Sequence, residues 1–424
     1  MIFEALLGHP LIQADNTWGL MGVMCLSVAL SIWLEQKYQW ASKVSGAIIA
    51  LILAMVMANV GIIPINSVLY DDIVWGVIVP MGIPLLLLQC NLKKIWKEAG
   101  KMLVIFLIGA VGTIVGAFLA YFALSGAYTA TGGSAHDMAA VASMMTGSYI
   151  GGGVNFAAMA AQHGLKGTDV AAAASVADNL LMALYFFVLI AFAGMRFFRS
   201  KFTHPHIDEI ESGKTDKSAA QTQAAAFWSR KDISLMDVAM NFAFAVAVVW
   251  LANIIAGIFS PMAVDLPSNF QEVLKDFVGK FLGSQYVWIT TISVIVATFF
   301  SKPVEKMHGS QEIGTYLIYL FLFVIGVPAN IYTVVTEAPL FLVLTFMMVV
   351  INMLFCFVGA KLCRFDLEDA IIASNANIGG PTTAAGMAIS QGWAKLVGPA
   401  MLVGTLGYVI GTYAGTVVGI VLGV

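Results

Sequence analysis

The sequence predicts an all-α polytopic membrane protein made of two inverted structural repeats. Three observations predict it. First, apolar runs of membrane-spanning length recur from end to end. The 424 residues are 60% hydrophobic and 11% charged, with a mean hydropathy of +0.89. Soluble domains are about 25% charged, a bilayer span needs about 20 apolar residues, and a soluble helical protein would need polar helix faces that these runs lack. Second, two blocks recur without gaps. SGAIIALILAMVMANVGIIP, from Ser45, lies over SQYVWITTISVIVATFFSKP, from Ser284; Ser45 and Ser284, Pro64 and Pro303, and Asn91 and Asn330 are each 239 residues apart. SYIGGGVNFAAMAAQHG, from Ser148, lies over ANIGGPTTAAGMAISQG, from Ala376, at a constant 228. Third, the matched loops carry opposite charge bias. Residues 62–72 have no Lys or Arg where 301–311 have Lys302 and Lys306. Residues 91–101 have Lys93, Lys94, Lys97 and Lys101 where 330–338 have none, and 125–137 have none where the counterpart has Lys361 and Arg364. Cytoplasmic loops concentrate Lys and Arg, so the repeats are expected to be inverted, as in many secondary transporters.

Taken in order, spans are expected near 18–34, 45–63, 73–90, 102–124, 139–163 and 168–196, then near 235–259, 285–300, 313–329, 340–361, 370–391 and 395–422. The chain divides into a first half, 1–196, with an extra N-terminal span, a polar linker, 197–234, and a second half, 235–424. The linker contains HPHIDEIESGKTDKSAAQTQ and reads as a solvated loop with an interfacial helix; NFQEVLKDFVGKFLGS, from Asn269, is amphipathic and suits the bilayer interface. Six full spans per half would leave the halves parallel. Inversion therefore requires one more crossing, or a segment that enters and leaves on one face, within 197–283 or 139–163.

Several function classes are excluded. A net charge of −3, thinly spread, gives no footprint for nucleic acid. Cys25, Cys90, Cys356 and Cys363 have no metal spacing and are expected to pack as small apolar residues. The early Glu4 argues against a cleaved signal peptide, and no lipidation motif is evident. No Lys-Ser/Thr follows GSYIGGG, so nucleotide-driven transport has no support, and no Ser-His-Asp or HExxH pattern points to an enzyme. No cofactor is expected beyond sodium or a proton as coupling ion.

The matched glycine segments are the candidate site. Gly379-Gly380-Pro381 cannot lie in an unbroken lipid-facing helix, because Pro removes a donor and clashes with the preceding turn, and freed backbone groups cost several kcal/mol each in hydrocarbon. Gly151-Gly152-Gly153 sits at the matching place. Interrupted spans at corresponding positions are the best sequence pointer to a transporter's binding site, and inversion would bring the two breaks together. Helix N-termini there offer N–H groups to an anion and C-termini offer carbonyls to a cation. Close packing accounts for Gly109, Gly112 and Gly116. It does not account for Asn375, Asn377, Thr382 and Thr383 at one break, or Tyr149 and Asn155 at the other.

On these twinned motifs, GSYIGGGVNFAAMA and NANIGGPTTAAGMA, nearly the whole chain resembles the DUF819 family of bacterial membrane proteins. That family is similar to the broad superfamily of cation/proton antiporters and anion symporters. The resemblance implies a core (transport) domain with two crossed broken helices, a panel (scaffold) domain, and elevator-type alternating access, often in a homodimer. It implies a sodium- or proton-coupled solute carrier in the bacterial inner membrane. It supplies no substrate; few buried charges suit a small organic anion, amino acid or short peptide.

Asp178, with Asn179, lies about ten residues into an apolar helix, where a carboxylate is costly and by default functional. Its repeat partners are Leu406 and Gly407, so this charge belongs to one half. It is a candidate sodium ligand or proton carrier, or a structural carboxylate paired elsewhere. Asn91 and Asn330 match each other and are further candidates for the coupling-ion site. Glu337 is expected in a short loop, and His204, His206, Asp208 and Glu209 in a solvated stretch rather than a metal cluster. Asp366, Glu368 and Asp369, like His136 and Asp137, suit the N-terminal dipole of a broken helix. The alternatives to a carrier are a membrane subunit of a sodium-translocating enzyme, a channel, and a cation/proton antiporter; the last usually has more than one mid-membrane carboxylate.

Overall fold

The computed structural model describes residues 10–38, 46–212, 232–264, 270–328 and 331–424. Among these every regular element is helical. In the first half they are α1 (Thr17–Lys37), α2 (Gly46–Asn59), α3 (Leu69–Leu87), α4 (Leu92–Glu98), α5 (Gly100–Ala130), α6 (Ala135–Gly151), α7 (Gly153–Gln162) and α8 (Asp169–Gly194). The linker forms α9 (Arg196–Lys201) and α10 (Pro205–Glu211); residues 213–231 of it lie outside the described residues. In the second half they are α11 (Leu235–Phe259), α12 (Phe270–Leu282), α13 (Gln285–Phe299), α14 (Ser310–Gly326), α15 (Ile331–Leu362), α16 (Leu367–Gln391) and α17 (Val397–Leu422).

Among the described residues seven helices are long and apolar enough to cross a bilayer: α1, α3, α5, α8, α11, most of α15, and α17. The α12–α13 pair passes the same test but bends by 62° at its junction, which sets the amphipathic α12 at an angle to α13. Shorter apolar helices are α2 and α14. Their starts follow local chemistry. The side chains of Asn16, Ser134 and Thr168 accept amides of α1, α6 and α8, and Ser234 with Asp237 forms a capping box on α11. Glu337 falls within α15 rather than in a loop.

The centre of the molecule is the pair α5 and α15, of 31 and 32 residues. Ile105 meets Cys356, Gly109 meets Asn352, Gly116 meets Met348 and Tyr128 meets Phe341, so the two helices run antiparallel. Small residues set the separation: a Cβ on Gly112 would come within 2.6 Å of the Phe355 Cβ, and one on Gly116 within 3.0 Å of the Met348 Cα. Around this pair α17 lies deep, with 61% of its apolar window buried, whereas α11, at 22%, faces outward. α1 packs on α2 and α14, as α11 packs on α13 and α3.

The two glycine segments do not cross as broken spans. Each folds back on itself. Along α17, Gly407 lies against Ile150, Gly411 against both Gly147 and Asn155, Gly415 against both Ser143 and Met159, and Gly419 against Ser143 and His163. At Gly411, Gly415 and Gly419, α17 meets residues of both α6 and α7 or its C-cap, so α6 and α7 form an antiparallel hairpin with its tip at Gly152. Ser143 and His163 close its base with a 2.7 Å hydrogen bond. α16 does the same at Gly380. The Asn375 amide donates to Thr383 O at 3.1 Å and reaches Met387 Sδ at 3.7 Å, whereas twelve residues of straight helix span about 18 Å. Both ends of α16 return to the linker. Glu368 accepts the Ile207 amide, and Lys395, just past α16, pairs with Glu209. The expectation of crossed helices failed because apolar length measures how much chain enters the membrane, not whether it turns round at the glycine.

Candidate functional site

The hairpins lie head to head. Pro381, at the second tip, packs against Gly404 of α17, and Ile150, at the first, packs against Gly407 less than one turn further on. A Cβ on Gly152 would stand 3.9 Å from the Gly380 Cα and 4.0 Å from Tyr408 Cε1. Gly152 has φ 80°, ψ −177°, and Gly380 has φ 77°, ψ −172°. Only glycine readily adopts this region, and the same turn recurs 228 residues on. Behind each turn the polar side chains fasten the hairpin. Asn155 donates to Tyr408 O at 2.9 Å and Thr412 Oγ1 at 3.3 Å, tying the first hairpin to α17. Thr383 donates to Gly380 O at 3.1 Å, and its hydroxyl also lies 3.4 Å from Asn375 Oδ1. A Cβ on Gly379 would strike Thr383 and Asn375, and one on Gly151 would strike Gly407 O and Asn155, so these flanking glycines allow close packing. Space opens instead at Gly153 and Gly380, where a Cβ would meet nothing within 4 Å. The half-buried Thr382 follows Pro381 at the start of the second limb.

Beside the tips lies a buried polar centre. Asp178, 8% exposed on α8, accepts Ser148 Oγ at 2.7 Å through Oδ2. Its Oδ1 is buried and has no hydrogen-bond partner, and no Lys, Arg or His pairs with it among the described residues. The buried Tyr149 hydroxyl lies beside Asp178 and Thr345 without a well-aligned bond to either. A chain of bonds runs on from there. Thr113 donates to Tyr149 O at 3.2 Å; Asn352 donates to Thr113 Oγ1 at 3.0 Å and Gly109 O at 2.9 Å; Ser374 donates to Asn352 Oδ1 at 3.0 Å. Since the Ser374 proton is spent on Asn352, Tyr185, again on α8, donates to Ser374. Asn377 donates to Phe106 O at 3.1 Å and leaves its own oxygen buried and unpaired. Thus α5, α6, α8, α15 and α16 share one network that starts and ends on α8.

The other sequence candidates fall outside it. Asn179 bonds back to Ser175 on its own helix. The Asn91 oxygen accepts the amides of Lys93 and Lys94 and caps α4, about 20 Å along α5 from Thr113 at helical rise. Asn330 lies outside the described residues. The linker residues dock on the base of the second hairpin, with Asp208 exposed and His204, His206 and Glu209 half-buried. Leu367 N donates to Thr203 O, Thr203 Oγ1 and Lys101 hold Asp366, and Lys361 donates to Lys201 O. His204 pairs with Asp208, and no metal-holding cluster occurs among the described residues. Thr113, Ser148, Tyr185, Thr345, Asn352 and Ser374 were not singled out from sequence. Two signals were there: Thr113 and Asn352 are 239 residues apart, the offset of the first repeat block, and Ser148 adjoins the glycine motif.

These features define a multi-pass helical membrane protein with two apposed glycine-tipped hairpins and an unpaired buried carboxylate beside them. The chain belongs to the DUF819 family, described as "Protein of unknown function (DUF819)", whose model matches residues 22–424. It is 44% identical over 411 residues to "Uncharacterized membrane protein YjcL" of Bacillus subtilis (strain 168), covering 97% of this chain and 98% of that protein.

Proposed function

We propose that this protein is a secondary transporter of a small anionic solute, an organic acid, amino acid or short peptide, bound between the hairpin tips and coupled to an ion at Asp178. The observation that carries the proposal is the apposition of Gly152 and Gly380 in the same glycine-only conformation. Such tips present the C-terminus of one limb and the N-terminus of the next, so backbone dipoles meet a solute without a dedicated charged side chain. An inverted reading of the two repeats supports it. α8 and α17 each have 26 residues at an offset of 228, and α5 and α15 run antiparallel. With both hairpins re-entrant, each half has five crossings, an odd number, counting α2 and α14 as spans. The parity conflict between six spans per half and opposite loop charges then disappears. Among the described residues all Lys and Arg except Lys166, Lys275 and Lys280 fall on one side of this arrangement, as cytoplasmic placement requires. The first hairpin then enters from outside and the second from inside, and exchanging which one opens is alternating access.

The test is a thermal-shift screen of purified protein against small carboxylates, amino acids and short peptides, followed by counterflow in proteoliposomes for any hit. A ligand at 100 times its Kd adds about 2.7 kcal/mol to stability. The proposal requires a stabilising ligand that also exchanges across the membrane. A binder that never exchanges, or no binder in any of the three classes, sinks it.

A further inference from the structure

We infer that the Asp178 centre binds a proton and not a metal cation, which names the coupling ion of the carrier proposed above and rests on that reading for its role in transport. A hard cation needs a shell of several oxygens free to turn towards it. Among the described residues, the neighbouring oxygens are already tied into hydrogen bonds that hold the helices. The Ser148 hydroxyl gives its proton to Oδ2, Ser148 O accepts Gly152 N at 2.5 Å, Tyr149 O accepts Thr113, and the Thr345 hydroxyl donates to Leu342 O. Two buried atoms remain without partners, one on each of two neighbouring side chains: Asp178 Oδ1 and the Tyr149 hydroxyl.

This pair suits either protonation state. With Asp178 ionised, a small shift of the two side chains lets the Tyr149 O–H donate to the carboxylate. When water delivers a proton, an O–H bond forms at Oδ1 and donates to the Tyr149 oxygen, whose own proton turns towards Thr345. Only a small adjustment of these two side chains is needed, and no buried charge is left. A lone carboxylate in apolar surroundings favours such neutralisation. Several elements pack on α8: α6, α9, α14, α15 and α16. Among the described residues only α6 brings a titratable group to Asp178, namely Tyr149. Cys356 of α15 acts instead on Tyr185, and Glu368 and Asp369 of α16 lie at the hairpin base, by Ile207, Asp366 and Lys101.

The experiment uses the full-length purified protein in nanodiscs, with pH and 22Na+ as the probes and no solute. Infrared difference spectra between alkaline and acid conditions are expected to show a protonated-carboxyl band that is lost in Asp178→Asn and unmoved by saturating sodium. In Tyr149→Phe, which removes one oxygen and no charge, the band persists and moves to the frequency of a carboxyl without a hydrogen bond. That variant keeps the test informative should Asp178→Asn not fold. Saturable 22Na+ binding that Tyr149→Phe weakens or Asp178→Asn abolishes overturns the inference, as does a wild-type protein whose Asp178 band never changes with pH. A titrating band in a protein that fails counterflow leaves the proton site standing and removes the carrier.

Discussion

Replacing Gly380 by Ala tests the tip geometry with little else disturbed. A Cβ there would meet nothing within 4 Å, so the substitution carries no steric cost. What remains is the backbone, held at φ 77°, ψ −172°, where an L side chain costs about 1–3 kcal/mol. That strain falls on the conformation in which the hairpin turns at this residue, lowering its population by about 5- to 150-fold. Gly386, on the same hairpin, is the control. It is helical and also open to a Cβ, so Gly386→Ala is expected to stabilise by about 0.5–1 kcal/mol. The assay pairs thermal unfolding with solute counterflow in proteoliposomes. Gly380→Ala should lower both stability and exchange, while Gly386→Ala should preserve exchange. If the two variants behave alike, the turn at Gly380 is not needed and the argument from tip conformation is wrong.

Further outcomes are expected. Asp178→Asn should abolish ion-coupled uptake while leaving the purified protein folded by size-exclusion chromatography; retained coupled uptake would remove Asp178 from the mechanism. Asn352→Leu leaves Gly109 O and the Thr113 and Ser374 hydroxyls short of partners, and should destabilise by at least about 1–3 kcal/mol, read by thermal or denaturant unfolding. In membrane vesicles a cell-impermeant thiol reagent should reach native Cys363, which is exposed, and an introduced Lys395→Cys from the same side. Opposite sidedness would mean that α16 crosses the membrane after all. Glu368→Ala leaves the Ile207 amide at the hairpin base without its acceptor, and should speed proteolysis between α10 and α11 relative to wild type.

The helices and both breaks were legible because hydropathy and glycine report local needs: length in a bilayer, and a backbone region that other residues avoid. The turn-back of the hairpins was not, since a helix that reverses at Gly152 has the same composition as one that continues. Loop charge carried a trace of it, as a parity conflict that re-entrant hairpins resolve on the proposed inverted topology. Asn155, Asn375 and Thr383 lie at the breaks, yet they fasten the hairpins. A polar side chain in an apolar segment shows that it needs a partner without showing whether that partner is a ligand or the protein's own carbonyl. Asn91 had a readable alternative, because Asn just before a short helix is a common N-cap. Ser148, Tyr185 and Ser374 escaped notice because single hydroxyls in a membrane helix can bond back to their own helix, as Thr146 and Ser293 do, and only tertiary packing selects the few that do not.

The match between α8 and α17 is one of backbone and not of chemistry: equal length and a constant offset, but Asp178 where the other has Leu406. If the two halves trade shapes to face the opposite side of the membrane, the backbone energies of the two states stay close, because each half takes on a form its counterpart already holds. The acid has no twin to trade with. On the proposed reading, one acid would serve both states of the cycle, so each turnover would carry a single coupling ion whichever half is open.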